Sequence, residues 1–295
     1  RLKLMNRVTA VGLDARKQGP SFVGALNAFR SYGLNLKGIP VMEDGIDTDA
    51  LEAYLRQDQR VKLLYVIPTF QNPSGVTMSL AKRRRLLELA KQYDFLILED
   101  SPYFELRYSG ENVPTIKSLD DDGRVIFVGS FSKVIAPGIR VGFVIANRQV
   151  IAKLTVAKQV SDVHTNLFFQ MVISEYLRRY DFDAHIASIC KLYTQKRNAM
   201  LDAAQRFFPA EIRIHRPDGG LFIWCTMPDG SDSMKFCAIA SKRLVAAVPG
   251  ASFAADEHEI SPSFRLNFSL PTEEQIYAGM KILGEAADEY LTVRD

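Results

Sequence analysis

Between about Leu51 and Ala146 the chain alternates short apolar runs with stretches of helical period. Val61-Lys62-Leu63-Leu64-Tyr65-Val66-Ile67, Phe95-Leu96-Ile97-Leu98, Val125-Ile126-Phe127-Val128 and Val141-Gly142-Phe143-Val144-Ile145 predict four strands. Ser79 to Tyr93 predicts a helix between the first two, with Ser79 as its N-cap and leucines at 86, 87 and 89. Strands that are apolar on both faces and separated by helices imply an α/β sheet covered on each side. The helixless return from the third strand to the fourth leaves room for an antiparallel member. Beyond Asn147 the pattern changes. Helices are predicted over 150–160, 167–180 and 233–246, with a long periodic stretch from Asp183 to Phe208 that contains no Gly or Pro, and a last helix over 273–291. Short strands at Ile212–His215, Leu221–Cys225 and Ser263–Ser269, the first two joined by the turn Pro217-Asp218-Gly219-Gly220, have the look of a smaller α+β unit. The expected division is a large domain over residues 1–180 and a small one over 181–295, the long helix bridging them. In the first fifty residues only Phe22 to Tyr32 shows a helical period.

Composition narrows the classes. With 295 residues, 47% hydrophobic and 24% charged, the chain is long enough for a sizeable core and unlike disordered or collagenous sequences. No apolar run approaches the ~18 residues of a membrane span, and RLKLMNR lacks the apolar core of a secretory signal. A formal charge of +3 is too small and too dispersed to indicate nucleic acid. The densest basic run, Lys82-Arg83-Arg84-Arg85, reads as the solvated face of its helix. Cys190, Cys225 and Cys237 are odd in number and lack the spacing of metal ligands. Reduced thiols in a cytoplasmic protein, without a metal site, are expected.

Chemistry-bearing segments follow the strands. Asn72-Pro73-Ser74-Gly75 comes after the first, Glu99-Asp100-Ser101-Pro102-Tyr103 after the second, and Ser130-Phe131-Ser132-Lys133 after the third. In open α/β sheets ligands bind outside the carboxyl ends of the strands, so these segments are expected to share one crevice. The first is also an ordinary turn tetrapeptide, and the second also reads as a helix N-cap. Lys133 is more informative. A lysine beside a buried strand is costly to desolvate unless it has a partner or is neutral, and a neutral lysine is what Schiff-base chemistry requires. Ser130, Ser132 and Arg140 offer hydroxyls and a guanidinium suited to a phosphate, and Asp100 offers an acid for a pyridinium nitrogen. Pyridoxal phosphate needs that set. Tyr65 and Tyr108 carry no signal separable from core; Phe222 and Trp224 read as core, Gly219-Gly220 as a turn, and the four histidines as structural or surface groups.

The runs YVIPTFQNPSGVTMSLAKRRRLLELA, LILEDSPYFELRY and VIFVGSFSKVIAPGIRVGFVIA closely resemble the class I/II pyridoxal-phosphate aminotransferases of fold type I. The nearest branch is that of the 2-aminoadipate, kynurenine and aromatic aminotransferases. The likeness continues through KQVSDVHTNLFFQ, RPDGGLFIW, VPGASF and FRLNFS. It implies a large, mostly parallel central sheet covered by helices and a smaller α+β C-terminal domain. It also implies transfer of an amino group from an aromatic or dicarboxylic amino acid to 2-oxoglutarate by a ping-pong mechanism, with pyridoxal 5'-phosphate as cofactor and a homodimer as the working form. By the same resemblance Lys133 carries the cofactor and shuttles the proton, and Asp100 pairs with the pyridine nitrogen. Asn72 and Tyr103 bond the ring hydroxyl, Ser130, Ser132 and Arg140 bind phosphate, Phe22 stacks on the ring, and Arg265 clamps the substrate carboxylate.

The sequence departs from the pattern near its start. Family members are longer and place a Gly-Ser-Gln-Gln type loop and helix ahead of the Pro20-Ser21-Phe22 segment, where backbone N–H groups hold the phosphate. That block is absent from the sequence, and the expectation is that it belongs between RLKLMNR and Phe22, which are then fragments of one longer segment, with Gly12-Leu13-Asp14 as a remnant of the helix after the phosphate loop. Two rivals stay open at this point: the effector domain of a transcription regulator that borrows the fold, and a pyridoxal-phosphate lyase.

Overall fold

The computed structural model describes residues 9–14, 21–58, 60–256 and 258–294; RLKLMNR and Pro20 lie outside them. Its strands are β1 (Thr9–Asp14), β2 (Asn35–Met42), β3 (Gly45–Ile46), β4 (Val61–Val66), β5 (Leu96–Asp100), β6 (Val125–Ser130), β7 (Gly142–Ile145), β8 (Arg213–Ile214), β9 (Phe222–Thr226), β10 (Val248–Pro249) and β11 (Ser263–Asn267). The first seven form one sheet in the order β3-β2-β1-β4-β5-β6-β7, and the last four a second in the order β10-β11-β9-β8. In the large sheet β2, β1, β4, β5 and β6 run parallel, and β3 and β7 close the two edges antiparallel. The antiparallel return expected after the third predicted strand is therefore present, with Phe127 opposite Ile145. The small sheet is antiparallel throughout.

The helices are α1 (Val23–Ser31), α2 (Thr48–Gln57), α3 (Leu80–Tyr93), α4 (Arg148–Asp162), α5 (Leu167–Arg179), α6 (Phe182–Phe207), α7 (Ser233–Lys242) and α8 (Glu273–Arg294). Ser79 caps α3 as the sequence predicts, its hydroxyl accepting from the Lys82 N–H. Leu86 and Leu89 of α3 and Leu51 and Leu55 of α2 pack with Leu64, Ile97 and Val125 in one fully buried cluster. The long α6 joins two others. Ile186, Ile189 and Tyr193 lie against Tyr65, Phe70, Tyr103 and Leu106, while Met200, Leu201 and Ala204 lie with Phe236, Phe264 and Leu283 under the small sheet.

Four expectations need correction. Gly12-Leu13-Asp14 is the end of strand β1, inserted between β2 and β4, and no helix remnant. The crossover from β5 to β6 contains no α-helix, only the 3-10 turn Lys117–Leu119, whose N–H groups at Ile116 and Lys117 are accepted by the buried Glu99 carboxylate at 2.9 and 2.7 Å. That carboxylate belongs to the Glu-Asp-Ser-Pro-Tyr segment, which caps this turn from a distance instead of starting a helix. The sheet is not covered on each side along its whole width: every residue of β7 is exposed and α4 buries no side chain. Last, the basic run on α3 is not a solvated face, because Arg83 is 0% exposed.

Candidate active site

The site begins with that buried arginine. Its Nε donates to the Met78 carbonyl at 3.0 Å, Nη2 to the Pro68 carbonyl at 2.8 Å and the Thr69 hydroxyl at 2.9 Å, and Nη1 to the Pro114 carbonyl at 3.0 Å. Burial pulls its pKa down to about 10, against the nearby Glu99 charge, so the guanidinium stays a cation at neutral pH. Three acceptors on the two flanks of the loop after β4, and a fourth from the crossover between β5 and β6, thus meet at one rigid fork. Within that loop the Ser74 N–H donates to the Gln71 side chain at 2.8 Å, and Gly75 takes φ +74°, a left-handed conformation suited to glycine. Asn72 is buried on this platform, and its Oδ1 accepts from Arg265 Nη1 at 2.7 Å.

At the end of β5, Asp100 accepts a hydrogen bond from the Tyr65 hydroxyl at 2.6 Å. Burial raises its carboxyl above the usual range and the Tyr65 bond pulls it partly back. No cation pairs with it among the described residues. Tyr103, three residues on, is buried, lies beside the Asp100 charge and hydrogen-bonds the Asn72 side chain. Burial raises its phenol well above the ordinary value, against the pull of Arg265. Its ring meets Phe222 edge to face with centroids 5.7 Å apart.

Arg265 comes from the small sheet, on β11 opposite Trp224 of β9. Its guanidinium lies 4.1 Å from the centre of the Phe222 ring and 4.9 Å from that of Phe253, a cation–π setting that holds the fork flat. Its Nε is buried and has no hydrogen-bond partner among the described residues. A buried donor without an acceptor is costly, and a planar guanidinium with free N–H groups is shaped for a carboxylate.

After β6 the set is looser. The Ser132 N–H donates to the Ser130 hydroxyl at 3.1 Å, and Arg140, exposed and left-handed at φ 52°, donates to the Ser132 hydroxyl at 3.4 Å and the Pro137 carbonyl at 3.2 Å. Lys133 between them is half-buried and forms no ion pair among the described residues. The next residue, Val134, is buried, and its carbonyl lies 2.7 Å from His185 Nε2 of α6. Phe22 stands exposed at the N-terminus of α1. Its segment is tied to the site through the Ser21 N–H, which donates at 2.8 Å to the carbonyl of Phe253.

The structure therefore brings Asn72, Tyr103 and Arg265 into one bonded group with the Asp100 charge beside Tyr103, and Ser130, Ser132, Lys133 and Arg140 together on the loop after the adjacent strand. Sequence reading missed Tyr65, Arg83, Phe222 and Phe253. Tyr65 had one usable signal, a hydroxyl at a strand position otherwise filled by Leu and Val. A second link crosses between the sheets. The Tyr108 and Ser109 N–H groups donate to the Asp218 carbonyl, and the Gly220 N–H donates to the Leu106 carbonyl. Gly219 is required there, since a Cβ would stand 2.2 Å from the Leu106 carbonyl oxygen and 2.3 Å from the Phe70 ring. What read as a plain turn is a close backbone crossing.

The sequence matches the model of the aminotransferase class I and II family over residues 18–282. The chain belongs to the class I and II aminotransferases. Among its relatives, aromatic-amino-acid aminotransferase 1 of Thermococcus litoralis is 44% identical over 276 residues, which are 92% of this chain and 66% of that protein. The 2-aminoadipate transaminase of Thermus thermophilus is 37% identical, over 91% of this chain and 68% of its own length. The crystal structure of Pyrococcus horikoshii kynurenine aminotransferase, solved in complex with PMP, superposes with a TM-score of 0.91 at 41% identity, covering 98% of this chain and 73% of that one. The chain thus has the fold type I architecture and spans about two thirds of the length of the curated relatives it matches. Among the described residues, no helix is long and apolar enough to cross a membrane, and no group of three or more His, Cys, Asp or Glu side chains is placed to hold a metal ion.

Proposed function

We propose that this chain forms the catalytic body of a pyridoxal-phosphate-dependent aminotransferase that moves the amino group of an aromatic or dicarboxylic amino acid to 2-oxoglutarate by a ping-pong route. The observation that carries this is the meeting of the β4, β5 and β6 ends around a half-buried acid without a cation partner among the described residues, Asp100, with an unpaired lysine on the neighbouring loop. The residues present fit the cofactor: Asp100 supplies a negative charge for its ring nitrogen, and Asn72 and Tyr103 supply polar groups for its ring hydroxyl. Lys133 would hold it covalently, Phe22 would stack on its ring, and Ser130, Ser132 and Arg140 would meet its phosphate. When bound, it supplies a carbon that takes up the amino group and a ring that accepts the electron pair left on Cα.

The chain's own residues do the rest. Arg265, held flat by Phe222 and Phe253 and anchored to Asn72, binds the substrate carboxylate with two parallel N–H groups and so fixes the direction of the Cα–H bond. Lys133 Nζ, set free when the substrate's amino group displaces it, would take the proton from Cα and return it to the adjacent position. Asp100 stays ionised opposite a cation, and Tyr103 holds its proton.

The reading also assigns the cofactor-binding part to residues 1–180 and the small part to 181–295, and a cytoplasmic setting that three free cysteines are compatible with. A second copy of the chain is the proposed partner. Support comes from the apolar surface around β7, α4 and α5, where Val160, Val163, Leu167 and Phe168 are 81%, 67%, 60% and 68% exposed, more than a monomer's surface normally leaves in one area.

The test uses the purified protein loaded with pyridoxal phosphate. Borohydride reduction followed by peptide mapping should tag Lys133, and Lys133→Ala should abolish both the tag and turnover; a tag elsewhere refutes the assignment. Mixing the loaded protein with an amino acid alone should release one equivalent of its 2-oxo acid. Pyruvate with ammonia would mark a lyase, and binding without turnover would mark an effector domain.

A further inference from the structure

We propose that Tyr65 is a positioning residue for the cofactor: its hydroxyl occupies one oxygen of the Asp100 carboxylate and leaves the other for the protonated ring nitrogen. This rests on the reading of Asp100 given above. Tyr65 is 2% exposed and sits on β4 opposite Leu98 of β5, two residues before Asp100. Residues two apart on a strand share a face, so Tyr65, Leu98 and Asp100 lie on one side of the sheet and the phenol reaches the acid diagonally. The 2.6 Å separation is that of a hydroxyl bonded to an ionised carboxylate. The ring itself is packed edge to face on Phe29, with centroids 5.6 Å apart, and belongs to the cluster of Ile67, Phe70 and Tyr103.

Packing alone does not account for the hydroxyl. A phenylalanine fills the same space, and a buried hydroxyl costs stability unless it finds an acceptor. The acceptor here is the acid at the strand end, which has no cationic partner among the described residues. Without the Tyr65 bond, Asp100 would be a half-buried carboxylate free to rotate or take up a proton, and either change removes the fixed negative charge that keeps a pyridine nitrogen protonated. Because the phenol's own ionisation is suppressed by burial and by the Asp100 charge, Tyr65 acts only as a donor and cannot accept the ring proton itself.

The test compares wild type, Tyr65→Phe, Asp100→Asn and the double variant, each loaded with pyridoxal phosphate carrying 15N in its ring. In wild type the 15N signal should sit at the protonated-pyridine position. Y65F should keep a wild-type circular dichroism spectrum, lose cofactor affinity by about 10- to 100-fold, and shift the 15N signal toward neutral pyridine. Its kcat should fall while the KM for the amino acid stays, since the Arg265 contacts are untouched. In the Asp100→Asn background, Y65F should add almost nothing, because its partner charge is already gone. A wild-type 15N signal at the neutral position sinks the reading of Asp100 itself. A protonated wild-type signal that Y65F leaves unchanged sinks Tyr65 alone, as do additive effects in the double variant. A Y65F chain that fails to fold while Asp100→Asn folds also overturns the proposal, since the role is then packing.

Discussion

At the β4 side of the large sheet, α2 and α3 bury Leu51, Leu55, Leu86 and Leu89 against Leu64, Ile97 and Val125. At the β7 side, Phe143, Val144 and Ile145 meet water at 40%, 40% and 50% exposure and α4 buries nothing. The residues of the site divide along the same line. Asn72 and Asp100, after β4 and at the end of β5, accept from Arg265 and Tyr65, Tyr103 bonds Asn72, and Arg83 ties together the flanks of the loop that carries Asn72. Ser132, Lys133 and Arg140, which follow β6, have few bonds and partial exposure. One half of the site is set by the folding of this chain. The other half sits beside the exposed apolar surface of β7 and α4, which on the reading above packs against a second subunit.

The sharpest way to break this contrast is to remove the fork that fixes the first half. Arg83→Ala takes the donor away from the buried Met78 carbonyl and Thr69 hydroxyl and should cost about 3–5 kcal/mol, measured by urea unfolding. A loss below about 1 kcal/mol would show that the loop holds its shape by itself. Next in size is a matched pair of truncations. Leu86→Ala, fully buried, should cost about 3 kcal/mol, whereas Val160→Ala, mostly exposed, should stay within about 0.5 kcal/mol when measured on dilute monomer. Equal losses would erase the distinction between the two sides.

A smaller effect concerns pH. Because burial raises the folded-state pKa of Asp100, the unfolded chain releases that proton first as pH rises. The resulting penalty is absent below the unfolded carboxylate pKa and complete above the folded one. Asp100→Asn should therefore melt higher than wild type at pH 7 in the cofactor-free state, the gap closing as pH falls through the carboxylate range. A gap that persists at low pH would mean the charge is not its source. The smallest change in the isolated monomer, yet informative for assembly, is Val160→Asp combined with Phe168→Asp. Sedimentation should show loss of association with little change in melting temperature; unchanged association would move the partner surface elsewhere.

The parts of this architecture that sequence made legible are those with local causes. The apolar strands β4 to β7 and the helices from α3 onward announce themselves by period and by caps such as Ser79. The parts that were hidden depend on distant partners. Thr9–Asp14 shows no pattern of its own, and its strand state comes from pairing with Asn35–Pro40 on one side and Val61–Leu64 on the other. Arg83 sits in a basic run and looks solvated; only the carbonyls of Pro68, Met78 and Pro114, gathered from other segments, make burial tolerable. Helix α7 stops at Lys242, short of the predicted 246, where Leu244 turns left-handed at φ 63° with its side chain in water. In the site, Lys133 stood out as a costly residue at a strand end and Asp100 as an acid at the neighbouring one, Asn72 passed as a turn until the family resemblance gave it a role, and Tyr65 and Phe222 passed as core because their polar partners lie 35 and 43 positions away.

The backbone crossing between residues 106–109 and 218–220 has a practical corollary for recombination. A gene chimera that takes the small sheet from one parent and the Tyr103 loop from another would pair two halves of a clasp shaped separately, with a Cβ or a shifted carbonyl at Gly219 enough to spring it. Breakpoints placed so that both strands of the clasp descend from the same parent should yield folded hybrids far more often than breakpoints that split it.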